Sequence, residues 1–228
     1  MKTGFRQRLD FHGAMQDLAR ATMECARAIA RPGMELTELR VELERYMLDH
    51  GADGFWYYGI GAFVFSGRET AVSLSGRDYR TSPSRLGEND ILTIDLSPVR
   101  GGAWGDYART LLIGEPAEEW TQGLEAEKRL HEVMIAHVTP ETTFDELSRR
   151  MNAAIRDMGY VNLDFKGNLG HTIELQPSDR IYVEAGNALP IGEGRLFTFE
   201  PHIARPDSPY GYKREDIYYF QGGSLHVL

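Results

Sequence analysis

Two kinds of hydrophobic spacing succeed one another along the chain, and the succession occurs twice. From about Asp10 to Ala30, and again from about Glu118 to Val138, apolar residues form one stripe among charged ones, the pattern of an amphipathic helix. A second helical stretch follows each. RPGMELTELRVELERYMLDHGA runs to Gly51 and TPETTFDELSRRMNAAIRDMGY runs to Gly159, with Thr37 and Thr143 near the predicted starts. The two align: Pro32 with Pro140, Leu36 with Phe144, Leu39 with Leu147 and Leu43 with Met151. The spacing then becomes β-like. ILTIDLSPVRGGAWGDYARTLLIG reads as two strands about a glycine turn, and RLFTFEPHIARPDSPYGYKREDIYYF as two strands about a longer, proline-rich loop. Residues 1–228 therefore read as one α+β domain of two helix–helix–hairpin halves, about 10–115 and 118–228, with sheets inside and helices outside.

Composition narrows the setting. A net charge of −9 argues against general affinity for nucleic acid or an anionic membrane. The N-terminus lacks the apolar core of a secretory signal, and no apolar run approaches a membrane span. Cys25 is the one cysteine, so no internal disulfide forms and a reducing cytoplasm is the expected location. Its expected role is that of a small buried residue on a helix.

The candidate chemistry lies in the hairpins. Asp95 follows Ile91-Leu92-Thr93-Ile94, and Glu200 follows Leu196-Phe197-Thr198-Phe199. An acid that ends a buried strand is costly unless it is paired or bound to a cation. A fold about Arg100-Gly101 sets Asp95 opposite Asp106, and one about Asp207-Ser208 sets Glu200 opposite Glu215. Two divalent cations would balance four such acids. Ion pairs with Arg109, Lys213 and Arg214 would also satisfy the pattern. His171, in GNLGHTIEL, is flanked by glycines that allow close backbone approach, whereas His12, His50, His131 and His137 fit surface or helical positions.

Taken in order, TIDLS, GDYART, LGHTI, FTFEP and REDIYY resemble the motifs of the pita-bread metallopeptidases: methionine aminopeptidase, Xaa-Pro aminopeptidase, prolidase and their relative creatinase. GDYART, EPHI and KREDI look most like the Xaa-Pro and prolidase branch, and the chain looks like its catalytic domain alone. The resemblance implies a pita-bread fold with two divalent metal ions on Asp95, Asp106, His171, Glu200 and Glu215. The oxygen-rich ligand set favours Mn, Fe or Co over Zn. It implies hydrolysis of an amide or peptide-like bond by a metal-bound hydroxide, with Glu200 carrying the proton. The expected substrate is a small molecule or short peptide, and a homodimer is expected by resemblance.

The chain departs from the family where further histidines surround the metals. Arg77, Gly167 and Ser178 stand at those places. His202 is a candidate substitute, either a catalytic imidazole or an exposed loop residue. Arg77 is a candidate for an anionic substrate group or a plain surface charge. Trp56 and Tyr57, within Phe55-Trp56-Tyr57-Tyr58, are candidates for the pocket wall or for packing. The missing histidines leave open a metal-dependent enzyme of another type, a lyase or an iron-dependent oxidative enzyme of specialised metabolism, and a non-catalytic binding module.

Overall fold

The structure, a computed structural model, describes residues 2–228. Its elements in chain order are α1 (Lys2–Ile29), α2 (Leu36–Asp49), β1 (Gly54–Phe55), β2 (Ala62–Ser66), β3 (Asp90–Leu96), β4 (Pro98–Arg100), β5 (Ala103–Trp104) and β6 (Tyr107–Ile113). They continue with α3 (Glu118–His137), α4 (Phe144–Asp157), β7 (Val161–Asn162), β8 (Phe197–Phe199), β9 (His202–Ala204), β10 (Tyr212–Gln221) and β11 (Ser224–Val227). The first helix starts well before the expected Asp10. The polar residues ahead of Asp10 continue the helix, and Arg8 donates to the Gly194 carbonyl at 2.8 Å.

Thr143 caps α4 by a reciprocal bond pair with Glu146, a capping box. Thr37, by contrast, lies inside α2, whose cap is Glu35 without a side-chain bond. Gly51 and Gly159 follow the two helices in the left-handed region, at φ 112° and 82°.

Each helix pair covers its own part of the sheet. Leu36, Leu39, Leu43 and Met47 of α2 cluster with Leu92, Ile94 and Leu96 of β3. Leu130 and Met134 of α3, with Phe144, Leu147 and Met151 of α4, cluster with Phe197, Phe199 and Phe220. Each such fully buried side chain contributes about 1.5–3 kcal/mol of burial free energy. Cys25 sits on α1 but is only half-buried, because its position lies at the edge of the apolar stripe.

The main sheet runs β2-β3-β6-β10-β9-β7, with β8 and β11 also paired to β10. The long strand β10 therefore joins the halves. It pairs with β6 through Arg214–Arg109 and Glu215–Ala108, and with β8 and β9 of its own half. Asp95 also pairs with Ala108, so Asp95, Ala108 and Glu215 stand in a row across three strands on one face. Ala108 is the small residue that leaves room between the two acids.

The two hairpins differ in register from what their sequences suggest. The first turns at Gly101-Gly102, with Arg100 opposite Ala103 and Val99 opposite Trp104. Asp95 consequently faces Ala108 rather than Asp106, a slip of two positions. Because strand faces alternate with period two, Asp106 still points to the same side. The second hairpin keeps the expected register: Asp216 pairs with Phe199 and Lys213 with His202, which places Glu200 across from Glu215.

Candidate metal centre

Two glycines fix two of the candidate ligands. Gly170, at φ 146°, lies so close to the Thr198 carbonyl that an added Cβ would meet its oxygen at 2.1 Å. That approach sets His171 against β8, where its N–H donates to Thr198 Oγ1 at 3.0 Å. Gly105 does the same for Asp106, since a Cβ there would meet the Met15 carbonyl oxygen of α1 at 2.7 Å. Gln16 then brackets Asp106: its amide donates to the Asp106 carbonyl at 2.9 Å and accepts from the Asp106 N–H at 2.8 Å. A helix thus positions the backbone of a buried acid.

Asp106, His171 and Glu215 are all buried, and each offers a ligand atom within 4.8 Å of the other two. Nδ1 of His171 lies 3.1 Å from the Thr172 carbonyl. A proton on Nδ1 satisfies that carbonyl and leaves the Nε2 lone pair facing Asp106 Oδ2 at 3.5 Å and Glu200 Oε1 at 3.4 Å. The hydroxyl of Tyr57 reaches both Asp106 Oδ2, at 3.1 Å, and His171 Nε2, at 2.9 Å. Arg180 in turn donates to the Tyr57 oxygen at 3.3 Å.

Lys213 is the cation among these acids. It lies two residues before Glu215 on β10, hence on the same face. Its Nζ is 2.6 Å from Asp95 Oδ2, 3.0 Å from Glu200 Oε2 and 3.5 Å from Glu215 Oε2. Four carboxylate oxygens nevertheless have no hydrogen-bond partner: Asp95 Oδ1, Asp106 Oδ1 and both oxygens of Glu215. Buried carboxylate oxygens with unshared lone pairs, gathered near an imidazole lone pair, fit a hard divalent cation.

The electrostatics follow from crowding. Burial, then the charges of Asp95 and Glu200, push the Asp106 carboxyl well above the usual range. Burial and the charges of Asp106 and Glu200 do the same to Glu215. Burial also raises Asp95, against the pull of Lys213. Burial would raise Glu200 too, but Lys213 and His171 outweigh it and hold that carboxyl below its usual range. Burial works against the charge on Lys213, yet Asp95, Glu215 and Glu200 hold its ammonium well above the ordinary lysine range. Burial lowers His171 to about 4, so its imidazole is neutral near pH 7.

Asp95, Glu200 and His171 open onto a cleft of about 500 Å³ lined also by Tyr57, Arg77, Lys166, Arg180, His202 and Lys213. Of the remaining sequence candidates, Tyr57 reaches the site itself rather than only its wall. Trp56 does not line the cleft: it stacks on Trp104 at 4.1 Å, because the turn through Tyr58, at φ 55°, sends successive rings in different directions. Arg77 is exposed at the cleft, with its guanidinium 5.1 Å from the Tyr58 ring centre. His202 is neither an exposed loop residue nor a free imidazole. It lies on β9, its Nε2 is 2.7 Å from the Thr70 carbonyl, and burial lowers it to about 4. His12 and His131 sit on helices but are buried, each bonded to a distant part of the chain. Arg180 is the site residue that the sequence reading missed; its loop, QPSDRIY, carries no periodic signal.

The opposite face of β10 holds a second polar group. Arg109 donates to Asp216 at 2.6 Å and Arg214 approaches Asp216 at 3.3 Å. His131 of α3 bonds the Tyr218 hydroxyl at 2.8 Å, and Glu127 is buried nearby.

A central sheet covered by two helix pairs, with buried acids and an imidazole gathered at its middle, is the pita-bread form. The family model for metallopeptidase family M24 matches residues 13–221, and the chain belongs to that family. A methionine aminopeptidase from Helicobacter pylori is 32% identical over 188 residues, covering 77% of this chain and 71% of that one. A probable dipeptidase PepE from Mycobacterium tuberculosis is 29% identical over 137 residues, and the aligned part spans only 36% of its length. Among solved structures, prolidase from Pyrococcus furiosus superposes with TM-score 0.84 at 20% identity, covering 97% of this chain and 63% of that one. An X-Pro aminopeptidase from Thermotoga maritima gives 0.85, at 20% identity and 60% of its length, and a methionine aminopeptidase from Rickettsia prowazekii gives 0.76. No described helix is long and apolar enough to cross a membrane.

Proposed function

We propose that this chain is a metal-dependent hydrolase that cleaves an amide or peptide-like bond in a short peptide or small molecule, in the manner of an aminopeptidase or dipeptidase. The observation that supports this most strongly is the buried triad of Asp106, His171 and Glu215, whose ligand atoms lie within 4.8 Å of one another and whose carboxylates include three oxygens without a hydrogen-bond partner. Asp106, His171 and Glu215 would hold a divalent ion, with Mn, Fe or Co suited to so many oxygens. When bound, such an ion supplies Lewis acidity, activating water and polarising a carbonyl.

The chain's own groups divide the rest of the work. Glu200 stays ionised near neutral pH, lies beside His171 and reaches the cleft, so it takes the proton released by the attacking water. Tyr57 holds its hydroxyl between Asp106 and His171 and keeps both oriented. Arg180, Lys166 and Arg77 supply countercharge along the cleft for a substrate with a free carboxylate. His202 remains neutral and donates to the Thr70 carbonyl, which leaves proton transfer to Glu200. The single Cys25 supports a reducing cytoplasm as the location.

Purified protein loaded with Mn²⁺ or Co²⁺ is expected to hydrolyse a member of a panel of Xaa-Pro dipeptides, aminoacyl peptides and small amides. Asp106→Ala is expected to abolish tight metal binding and turnover together. Inactivity across the panel with metal demonstrably bound would overturn the hydrolase reading.

A further inference from the structure

We infer that the ammonium of Lys213 occupies the place of a second divalent ion, so that this site binds one metal ion, on Asp106, His171 and Glu215. The inference rests on the metal-binding reading above and fixes how many ions the five candidate ligands take. Four converging carboxylates suggest two divalent cations, but the side chains do not offer equal access to them.

The three residues with mutually close ligand atoms leave out Asp95. Asp95 is instead turned to Lys213, whose Nζ lies 2.6 Å from its Oδ2. The same ammonium reaches Glu200 at 3.0 Å and Glu215 at 3.5 Å, so it contacts the three acids that a second ion on the Asp95 side would share. An ion placed there would lose those oxygens and meet a like charge at close range.

Lys213 is also held in position. Its N–H donates to Thr110 Oγ1 at 2.9 Å, its strand is paired to β6 and β9, and period-two alternation from Glu215 directs its side chain to the acids. Its side chain is only 16% exposed, so withdrawing into solvent would require breaking three charge contacts at once.

The geometry leaves a division of labour. Asp106, His171 and Glu215 are ligands, Glu200 stands between ligand and lysine, and Asp95 is the counterion of Lys213. Lys213 acts as a positioning residue and excludes the second ion.

The test is metal stoichiometry on the full chain, stripped with chelator and reloaded with Mn²⁺, read by elemental analysis, titration calorimetry and electron paramagnetic resonance. Wild type is expected to take one ion per chain and to show the spectrum of an isolated Mn²⁺. Lys213→Met, which removes the charge but keeps the length of the stem, is expected to take two and to show spin coupling. Asp95→Asn in the wild-type background is expected to keep the one ion with affinity lowered by no more than about 10–100-fold, as befits a residue outside the ligand set. This variant serves even if Lys213→Met fails to fold, which circular dichroism would reveal. Two ions in wild type, loss of the ion in Asp95→Asn, or a folded Lys213→Met that stays at one ion would each overturn the inference while leaving metal binding intact. Absence of any metal in wild type would overturn both the inference and the functional reading.

Discussion

The two faces of β10 carry the same kinds of residue and treat them in opposite ways. Lys213 and Glu215 point to the acid cluster on the cleft side, while Arg214 and Asp216 point toward α3. Toward α3, two acids, Asp216 and Glu127, meet two arginines, with Asp216 at 2.6 and 3.3 Å from them, so the charges balance even though the Glu127 oxygens lack a hydrogen-bond partner. Toward the cleft, one lysine serves three acids, and four carboxylate oxygens have no hydrogen-bond partner. KRED gives each face one base and one acid, so the difference lies in what the neighbouring elements bring. Toward α3 the neighbours supply Arg109, and toward the cleft they supply Asp95, Asp106 and Glu200. A face with matched charges stabilises the fold. A face with surplus acid is left for a ligand to complete.

The largest effect that would sharpen this contrast comes from the matched face. Asp216→Ala strands Arg109 and is expected to destabilise the chain by about 3–5 kcal/mol in denaturant unfolding, with the folded fraction still binding metal. Equal loss of metal binding and stability would mean that the two faces are not separate. Tyr57→Phe on the cleft face should do the reverse. It removes the hydroxyl between Asp106 and His171 and is expected to weaken metal affinity by roughly 10–100-fold in calorimetry, with little change in unfolding.

The smallest effect is a slope with pH. Burial lowers His131 to about 3 in the folded chain, against 6.5 for the free side chain. The stability this contributes is present above 6.5 and is lost as pH falls toward 3. At about pH 5.5 the loss relative to neutral pH is about 1.3 kcal/mol. His131→Gln should flatten the acid limb of the stability curve by that amount, and an unchanged limb would place the titrating groups elsewhere.

Asp95 and Glu200 were legible in the sequence because each follows a strongly apolar run, Asp106 and Glu215 because they lie across a hairpin from those acids, and His171 because glycines flank it. The register between Asp95 and Asp106 was not. Several turns about Arg100, Gly101 and Gly102 are compatible with the sequence, and the observed one uses positive φ at both glycines. Parity kept the site intact despite the two-residue slip. Lys213 was legible by the same parity, lying two positions from Glu215, and the sequence raised it only as one of several pairing partners. Tyr57 and Arg180 reach the site from loops whose course is set by tertiary packing, not by any local period. Trp56 shows the limit of reading an aromatic run as a unit, since neighbouring rings went to different places.

The union of the halves through β10 has a consequence for assembly. Asp95 and Asp106 arrive on the first half, His171, Glu200 and Glu215 on the second, and the pairing of Ala108 with Glu215 brings the two groups together. A chain divided in the loop at Gly114-Glu115-Pro116 would yield two fragments, neither of which holds the triad of Asp106, His171 and Glu215. Metal uptake by a mixture of such fragments would therefore report their reassociation, making the ligand set a built-in sensor of whether the central strand has zipped.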